Sequence, residues 1–284
     1  MLRRLVRLLS EPDIIIQIAT KNKLWSVTVG LIGEGQEIHL GEEGGLALWN
    51  NAIQKQDVIV HSCNEDNGLF KNAYNYIHNP ALHLDCVLRT HTATKYYRFV
   101  NSLLNGDIKE AAHEVPIILK ERYELSVTRD LEKAKKHVKG LYIDDVKTYG
   151  VMFCSGSEQT KQVPSLPFKD NNQPVKPGVG YFNYPDSQYY CKNLTYAATE
   201  FNVQGLELDM TLVHWDYDLA WNGERWKFSA LKKDVKDPEQ LKLNAYRVLL
   251  TRGRDGTIIY IPESKMLDKT WDLLVNKLGI SVLQ

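Results

Sequence analysis

"NAYRVLLTRGRDGTIIYIP", residues 244–262, contains the change of periodicity on which the reading of the fold turns. Leading into it, Leu241, Ala245, Val248 and Leu249 recur at helical spacing and form one apolar face. Asp237 stands at an N-cap position, Pro238 at the first helical position, and Gln240 where a capping box takes Glu or Gln. Gly253 is predicted to close that helix as its C′ residue. Beyond it, "TIIYIP" is a short β-branched run of the kind that forms a strand buried on both faces. Arg252 and Arg254 stand at the corner between the two elements. A cation is welcome at a helix C-terminus. A guanidinium held there can also grip a phosphate with two donors in a fixed fork.

The same alternation runs along the rest of the chain. "WSVTVGLIG" (25–33), a nearly continuous apolar run ending in glycines, predicts a buried parallel strand. "DVIVHS" (57–62), "YELSVT" (123–128), "YGVMFCS" (149–155), "LTYAAT" (194–199) and "MTLVHW" (210–215) read as further strands. Helices are predicted over 92–106, stopped by Gly106, and over "RDLEKAKKHVKG" (129–140), stopped by Gly140. Residues 156–188 carry five of the ten prolines and read as an irregular excursion, and "DYDLAWNGERWKFS" (216–229) as a loop. Leu2, Leu5, Val6 and Leu9 have helical spacing, predicting a surface helix stopped at Glu11-Pro12. Alternating strands and helices imply an α/β fold with a parallel sheet flanked by helices.

Bulk composition narrows the function classes. At 284 residues there is room for two domains. Lys+Arg and Asp+Glu each total 35, so no global basic field announces nucleic acid, although a local groove remains open. The four cysteines are far apart and form no Cys-x-x-Cys, which speaks against zinc or a disulfide framework and suits the cytoplasm. The eight histidines show no H-E-x-x-H, so no metal site is expected. No apolar run is long enough to span a membrane. Nothing matches G-x-S-x-G. Tyr181, Phe182, Tyr184, Tyr189, Tyr190, Trp215, Tyr217, Trp221 and Trp226 either stack bases in a single-strand channel or pack a long loop against its domain.

Four stretches, in order, resemble the later motifs of superfamily 1 helicases, and the chain is similar to a Schlafen-related group of DNA/RNA helicases over nearly its whole length. "LIGEGQEIH" (31–39) is similar to motif III, which implies that Gln36 senses the terminal phosphate. Its Gly33-Glu34-Gly35-Gln36 is one residue shorter than the usual G-D-x-x-Q and has Glu for Asp. "LHLDCVLRTHTATKYYRFVNSLL" (82–104) looks like motif IV, with Arg89 approaching the γ-phosphate. "YAATEFNVQGLELD" (196–209) looks like motif V. The resemblance implies that Glu207 bonds the nucleotide ribose, that Gly205 allows the tight turn, and that Thr199 and Gln204 lie near the nucleic-acid backbone. "VLLTRGR" looks like motif VI, with Arg252 on the γ-phosphate and Arg254 less direct.

The P-loop pattern G-x-x-x-x-G-K-[ST] is missing, since no Gly-Lys dipeptide occurs, and no apolar strand followed by Asp-Glu precedes residue 31. "GLYIDDV" (140–146) imitates that acidic motif in the wrong half. The resemblance therefore implies a RecA-like second helicase domain (81–284) with an insertion near 156–188, preceded by the tail of the first (1–80). The expected cofactor is ATP with Mg²⁺ in the complete enzyme, and the expected partners are DNA or RNA, single-stranded, together with a missing N-terminal P-loop domain. The chain by itself is expected to hydrolyse ATP poorly or not at all. The alternative is a noncatalytic nucleic-acid or protein binding module on the same scaffold.

Overall fold

The computed structural model describes residues 9–22, 24–31, 38, 45–54, 56–65, 68–83, 93–143, 146–156, 162–171, 173–233 and 235–283. The chain divides into two compact units, Met1–Cys86 and Val87–Gln284.

In the first unit, α1 (Glu11–Ala19) begins where the sequence predicts a helix end. Ser10 is its N-cap: the Asp13 N–H donates to the Ser10 hydroxyl at 3.3 Å, and the Ser10 N–H donates to the Asp13 carboxylate at 2.8 Å. Pro12 sits in the first turn, where its fixed φ helps and its missing N–H costs nothing. Proline after a capping residue opens a helix; the prediction treated it as a stop. Leu2, Leu5 and Val6 lie outside the described residues. Next come α2 (Gly45–Ala52), β1 (Ile59–Ser62) and β2 (Asn75–His78), the strands pairing in parallel with Val60 opposite Tyr76. Ile16, Ile53 and Phe70 form the small core.

The strand predicted at 25–33 is not formed over 25–31, and residues 32 and 33 lie outside the described residues. Trp25, Val27, Val29 and Leu31, on alternate positions, are 74–81% exposed. An apolar, β-branched segment has the composition of a strand, but it becomes one only when neighbouring strands complete its hydrogen bonds and cover its faces.

The second unit opens with α3 (Ala93–Asn105), α4 (Ile108–Lys120), β3 (Glu124–Thr128), α5 (Leu131–Leu141) and β4 (Tyr149–Phe153). A two-residue hairpin, β5 (Lys169–Asp170) and β6 (Gln173–Pro174), interrupts the proline-rich stretch. Then follow β7 (Ala197–Thr199), α6 (Glu200–Val203), β8 (Leu208–His214), the pair β9 (Leu219–Trp221) and β10 (Trp226–Phe228), α7 (Pro238–Leu250), β11 (Gly253–Tyr260), α8 (Asp268–Asp272) and β12 (Ser281–Val282). Six strands form one sheet in the order β12-β3-β11-β8-β4-β7, every pairing parallel. This is the predicted α/β class, consistent with a RecA-like fold.

Burial on both faces explains why the strand segments carry apolar residues without a strict alternation. All five residues of β4 and six of the seven in β8 are buried. Leu131, Ala134 and Val138 of α5 pack with Val151, Phe153, Met210, Leu212 and Ile258 of the sheet. Tyr96 of α3 donates to the Leu250 carbonyl at the end of α7 at 2.9 Å.

Three local readings change. No helix is predicted where α4 forms; Pro116 lies inside it, and Ala111, Val115 and Ile118 hold the helix on its core regardless. The loop at 216–229 contains a hairpin, in which Asn222 accepts from the N–H groups of Glu224 and Arg225 and Gly223 takes φ 108°. Asn-Gly between apolar runs is a hairpin signal. Finally, α7 ends at Leu250 with Thr251 as its C-cap, so Gly253 is not its C′ residue but the first residue of β11. Register shifts between Gly253 and Gly256, and a Cβ on Gly253 would run into the Gly256 carbonyl.

Candidate functional site

Of the residues singled out from the sequence, Glu207, Arg252 and Arg254 meet at the N-terminal ends of β8 and β11, neighbouring strands in the middle of the sheet. Asp237 caps α7, its carboxylate accepting from the Gln240 N–H at 2.9 Å, and the Gln240 side chain turns to Asn244 at 2.8 Å. At the far end the Thr251 hydroxyl donates to the Arg247 carbonyl at 2.8 Å, and the chain enters β11. Opposite, α6 leads through Gln204 and Gly205 into β8. Gly205 has φ 79°, a left-handed conformation that a Cβ would oppose. The two segments are stitched together where the Leu208 N–H donates to the Arg252 carbonyl at 3.0 Å.

The two arginines are treated differently by this corner. Arg252 is buried, 2% exposed. Its Nε donates to the Val248 carbonyl at 3.2 Å and its Nη1 to the Leu206 carbonyl at 3.4 Å, tying the end of α7 to the turn before β8. Arg254 points outward with its side chain 53% exposed, and its Nε donates to Glu207 at 2.8 Å. That hydrogen bond and the carboxylate charge hold the Arg254 guanidinium above its ordinary value.

A second set of charges continues the edge. Lys147 bridges Asp209 at 3.1 Å and Asp255 at 2.9 Å, and the Tyr142 hydroxyl donates to Asp255 at 3.0 Å. Burial pushes Asp209 up. The Thr148 N–H, 2.7 Å away, and the Lys147 ammonium outweigh it and leave the carboxyl below its ordinary range. Hydrogen bonds to Asp255 and Asp209 raise Lys147. The edge thus presents Arg254 and Lys147 among Glu207, Asp209 and Asp255, every charge within reach of an opposite one.

The remaining predicted residues sort as follows. Gln204 is exposed beside Gly205. Thr199 precedes α6, and both its N–H and its hydroxyl donate to the Asn202 side chain, at 2.9 and 3.0 Å. Gln36 and Arg89, like Gly33 and Glu34, lie outside the described residues, as do Asp144 and Asp145 of the acidic look-alike. Arg129, the first residue of the helix predicted over 129–140, is tied down by Asp268 at 2.8 Å and lies 4.8 Å from the Trp271 ring centre.

The aromatic residues favour packing over stacking. Trp215, Trp221 and Trp226 are buried and touch one another, Trp226 lying 5.5 Å from Trp215 and 5.2 Å from Trp221 between ring centres. The Trp226 indole N–H donates to the Leu103 carbonyl at 2.9 Å, holding the hairpin against α3. Of the others, Tyr181, Phe182 and Tyr189 are buried, while Tyr184 is exposed.

Sequence reasoning missed a buried polar cluster past the C-terminal ends of β4 and β8. Lys242 pairs with Asp218 at 2.7 Å and lies 3.6 Å from the Cys154 sulfur; the Tyr246 hydroxyl donates to Asp218. Ser155 donates twice to the buried Glu200. These residues are far apart in the chain, so no local motif announces them. Burial, reinforced by Glu200 and Asp218, pushes the Cys154 thiol up and keeps it protonated. The cluster is a structural clamp between α6, α7 and the strand ends, without an activated nucleophile.

Among the described residues, no helix is long and apolar enough to cross a membrane. No curated protein and no solved structure matches the chain. One family model matches, that of the Schlafen group 3 DNA/RNA helicase domain, over residues 5–263. With nearly the whole chain covered, and with a parallel α/β sheet under the matching segments, the chain belongs to the Schlafen group 3 DNA/RNA helicase domain family.

Proposed function

We propose that the chain is the C-terminal portion of a superfamily 1, ATP-dependent DNA or RNA helicase or translocase. In this reading the edge carrying Glu207, Arg252 and Arg254 faces a nucleotide held mainly by another domain. That domain carries the P-loop and the Mg²⁺ ligands, and it completes the ATP site when the two close together. Gln36 and Arg89 join the same site, Gly205 shapes the ribose-side turn, and Thr199 and Gln204 lie along single-stranded nucleic acid.

One observation carries the proposal. Two segments far apart in the chain, which the resemblance assigns to a single nucleotide site, meet through the Leu208–Arg252 main-chain bond and the Glu207–Arg254 ion pair. A guanidinium half in solvent at a strand end can neutralise charge developing on a transferred phosphoryl group. The exposed alternate positions Trp25, Val27, Val29 and Leu31 support the other half of the reading, since they suit a strand whose sheet is completed by the P-loop-bearing domain.

The test is ATP hydrolysis by the purified chain with Mg²⁺ and single-stranded DNA or RNA. Background turnover is expected alone. Co-expression with the P-loop half of another member of the family should restore turnover. Arg254→Ala and Arg252→Lys should then each lower it, by up to the roughly 10³-fold of an arginine finger. Robust turnover by the isolated chain would mean that it holds its own phosphate cradle. Turnover in the reconstituted pair that survives both substitutions would sink the assignment of these arginines.

Burial of Arg252 favours a second reading, because its Nε and Nη1 already serve main-chain carbonyls as a strut would. A noncatalytic nucleic-acid or protein binding module needs no more than this. Nucleic-acid binding that is insensitive to ATP in the reconstituted pair would favour it.

A further inference from the structure

Helix α4 turns Ala111, Glu114, Val115 and Ile118 to the interior. The one charged residue of this face, Glu114, is 2% exposed. Its Oε2 is sealed from solvent and has no hydrogen-bond partner among the described residues. An orphaned carboxylate oxygen in an apolar setting is costly, and a bound cation is one of the few things that relieves it.

The same helix supplies the rest of a ligand set. Glu110 stands four residues before Glu114 and His113 one before it, which puts all three on one side of the helix. One ligand atom from each lies within 4.8 Å of the other two. Glu110 and His113 are exposed, so an ion can reach them from solvent while Glu114 anchors it from the core.

We propose that Glu110, His113 and Glu114 bind a divalent first-row transition cation. One imidazole nitrogen and two carboxylates suit Zn²⁺, Fe²⁺ or Mn²⁺ better than Mg²⁺ or Ca²⁺, which favour all-oxygen shells. Among these, Zn²⁺ binds such donors more tightly than Mn²⁺. Metal–ligand distances of about 2.0–2.2 Å require donor atoms to come within roughly 3.5 Å of one another. The exposed Glu110 and His113 side chains have the freedom to close that gap. Water completes the coordination on the open side. Pro116, two residues beyond Glu114, deletes a rung of the helix, so a metal clip across residues 110–114 braces the turn that adjoins it.

The experiment uses the full, untagged chain, stripped of metal with a chelator and titrated with Co²⁺ by absorption and with Zn²⁺ by calorimetry. One equivalent of each is expected. The Co²⁺ complex should show d–d bands without thiolate charge-transfer absorption, which sets the site apart from Cys63. Zn²⁺ should raise the melting temperature of the parent. Loss of a direct ligand should cost more than the roughly 10–100-fold that loss of a mere supporting hydrogen bond costs. Glu114→Gln and His113→Ala should each show that loss, and His137→Ala should leave binding unchanged. If Glu114→Gln does not fold, His113→Ala at its exposed position decides alone. No binding by the parent, or binding undiminished in a folded ligand variant, would overturn the site.

Discussion

Arg252 and Arg254 are two residues apart and should fail in different ways when truncated. Arg252→Ala removes a buried guanidinium bonded to the carbonyls of Val248 and Leu206 at 3.2 and 3.4 Å. Hydrogen bonds from a charged donor contribute about 1.5–3 kcal/mol each at good geometry, and these are long, so the lower end applies. Two buried methylenes beyond Cβ add about 1.6 kcal/mol. Relief from burying the charge offsets part of that sum. The net loss should be about 3 kcal/mol, or a fall of about 6–12 °C in melting temperature for a unit of this size. Arg254→Ala removes a half-exposed ion pair with Glu207, which contributes roughly 0.2–1 kcal/mol. Scanning calorimetry and urea titration of the two variants separate these cases. A parent-like melting curve for Arg252→Ala would refute the claim that the residue is a structural tie. Activity measured on Arg252→Ala at a temperature where it is part unfolded would say nothing about phosphate, which is why Arg254→Ala and Arg252→Lys are the better probes of chemistry.

Other substitutions test other contacts. Asp209 sits below its ordinary value of 3.8, so its stabilising contribution is present above that value and is lost as pH falls through the lower folded value. Asp209→Asn should therefore cost stability near neutral pH, and its deficit against the parent should shrink below about pH 4 in melts run across an acid series. Gly253→Ala would force a Cβ into the Gly256 carbonyl at the bulge, and urea unfolding should show a loss of about 1–3 kcal/mol. Trp226→Phe keeps the ring stack but deletes the hydrogen bond to Leu103. It should cost about 1 kcal/mol in a urea melt and leave single-strand affinity as it was; a weakened affinity in the folded variant would revive base stacking.

What could be read from the sequence was whatever local pattern decides. The parallel sheet announces itself through strands buried on both faces, whose centres carry apolar runs such as all of β4, the Leu212-Val213 of β8 and the Ile258-Ile259-Tyr260 of β11. Helix α7 carries its own start signal in Asp237 and Pro238. Three things could not be read in the same way. Trp25 to Leu31 has strand composition but no partner strand among the described residues, and pairing is not encoded in the segment that needs it. Helix α4 forms despite Pro116, because tertiary burial of Ala111, Val115 and Ile118 outweighs one lost hydrogen bond. Without that helix, Glu110, His113 and Glu114 have no shared face, and no ligand spacing is read among the histidines. The Asp218–Lys242 pair is a contact between a strand end and a distant helix, which no local window can see.

The corner between β8 and β11 shows why proximity in the fold and availability for chemistry are separate questions. The Leu208–Arg252 main-chain bond and the Arg252–Leu206 contact hold the Gln204–Gly205 turn to the end of α7. A group that pulls on Arg254 or Glu207 therefore acts on the same short piece of backbone that presents Gln204 to solvent. In the proposed motor this is how a nucleotide on one side could be felt by nucleic acid on the other, through three or four bonded residues. The Glu207–Arg254 pair is the exposed point in that linkage. Because its partners are already satisfied by each other, an incoming phosphate or ribose must replace one charge-assisted hydrogen bond with another. The exchange is close to neutral for a half-exposed pair, about 1 kcal/mol or less. In the proposed motor, binding energy must then come from the P-loop domain, and the chain alone should hold nucleotide weakly even with both arginines in place.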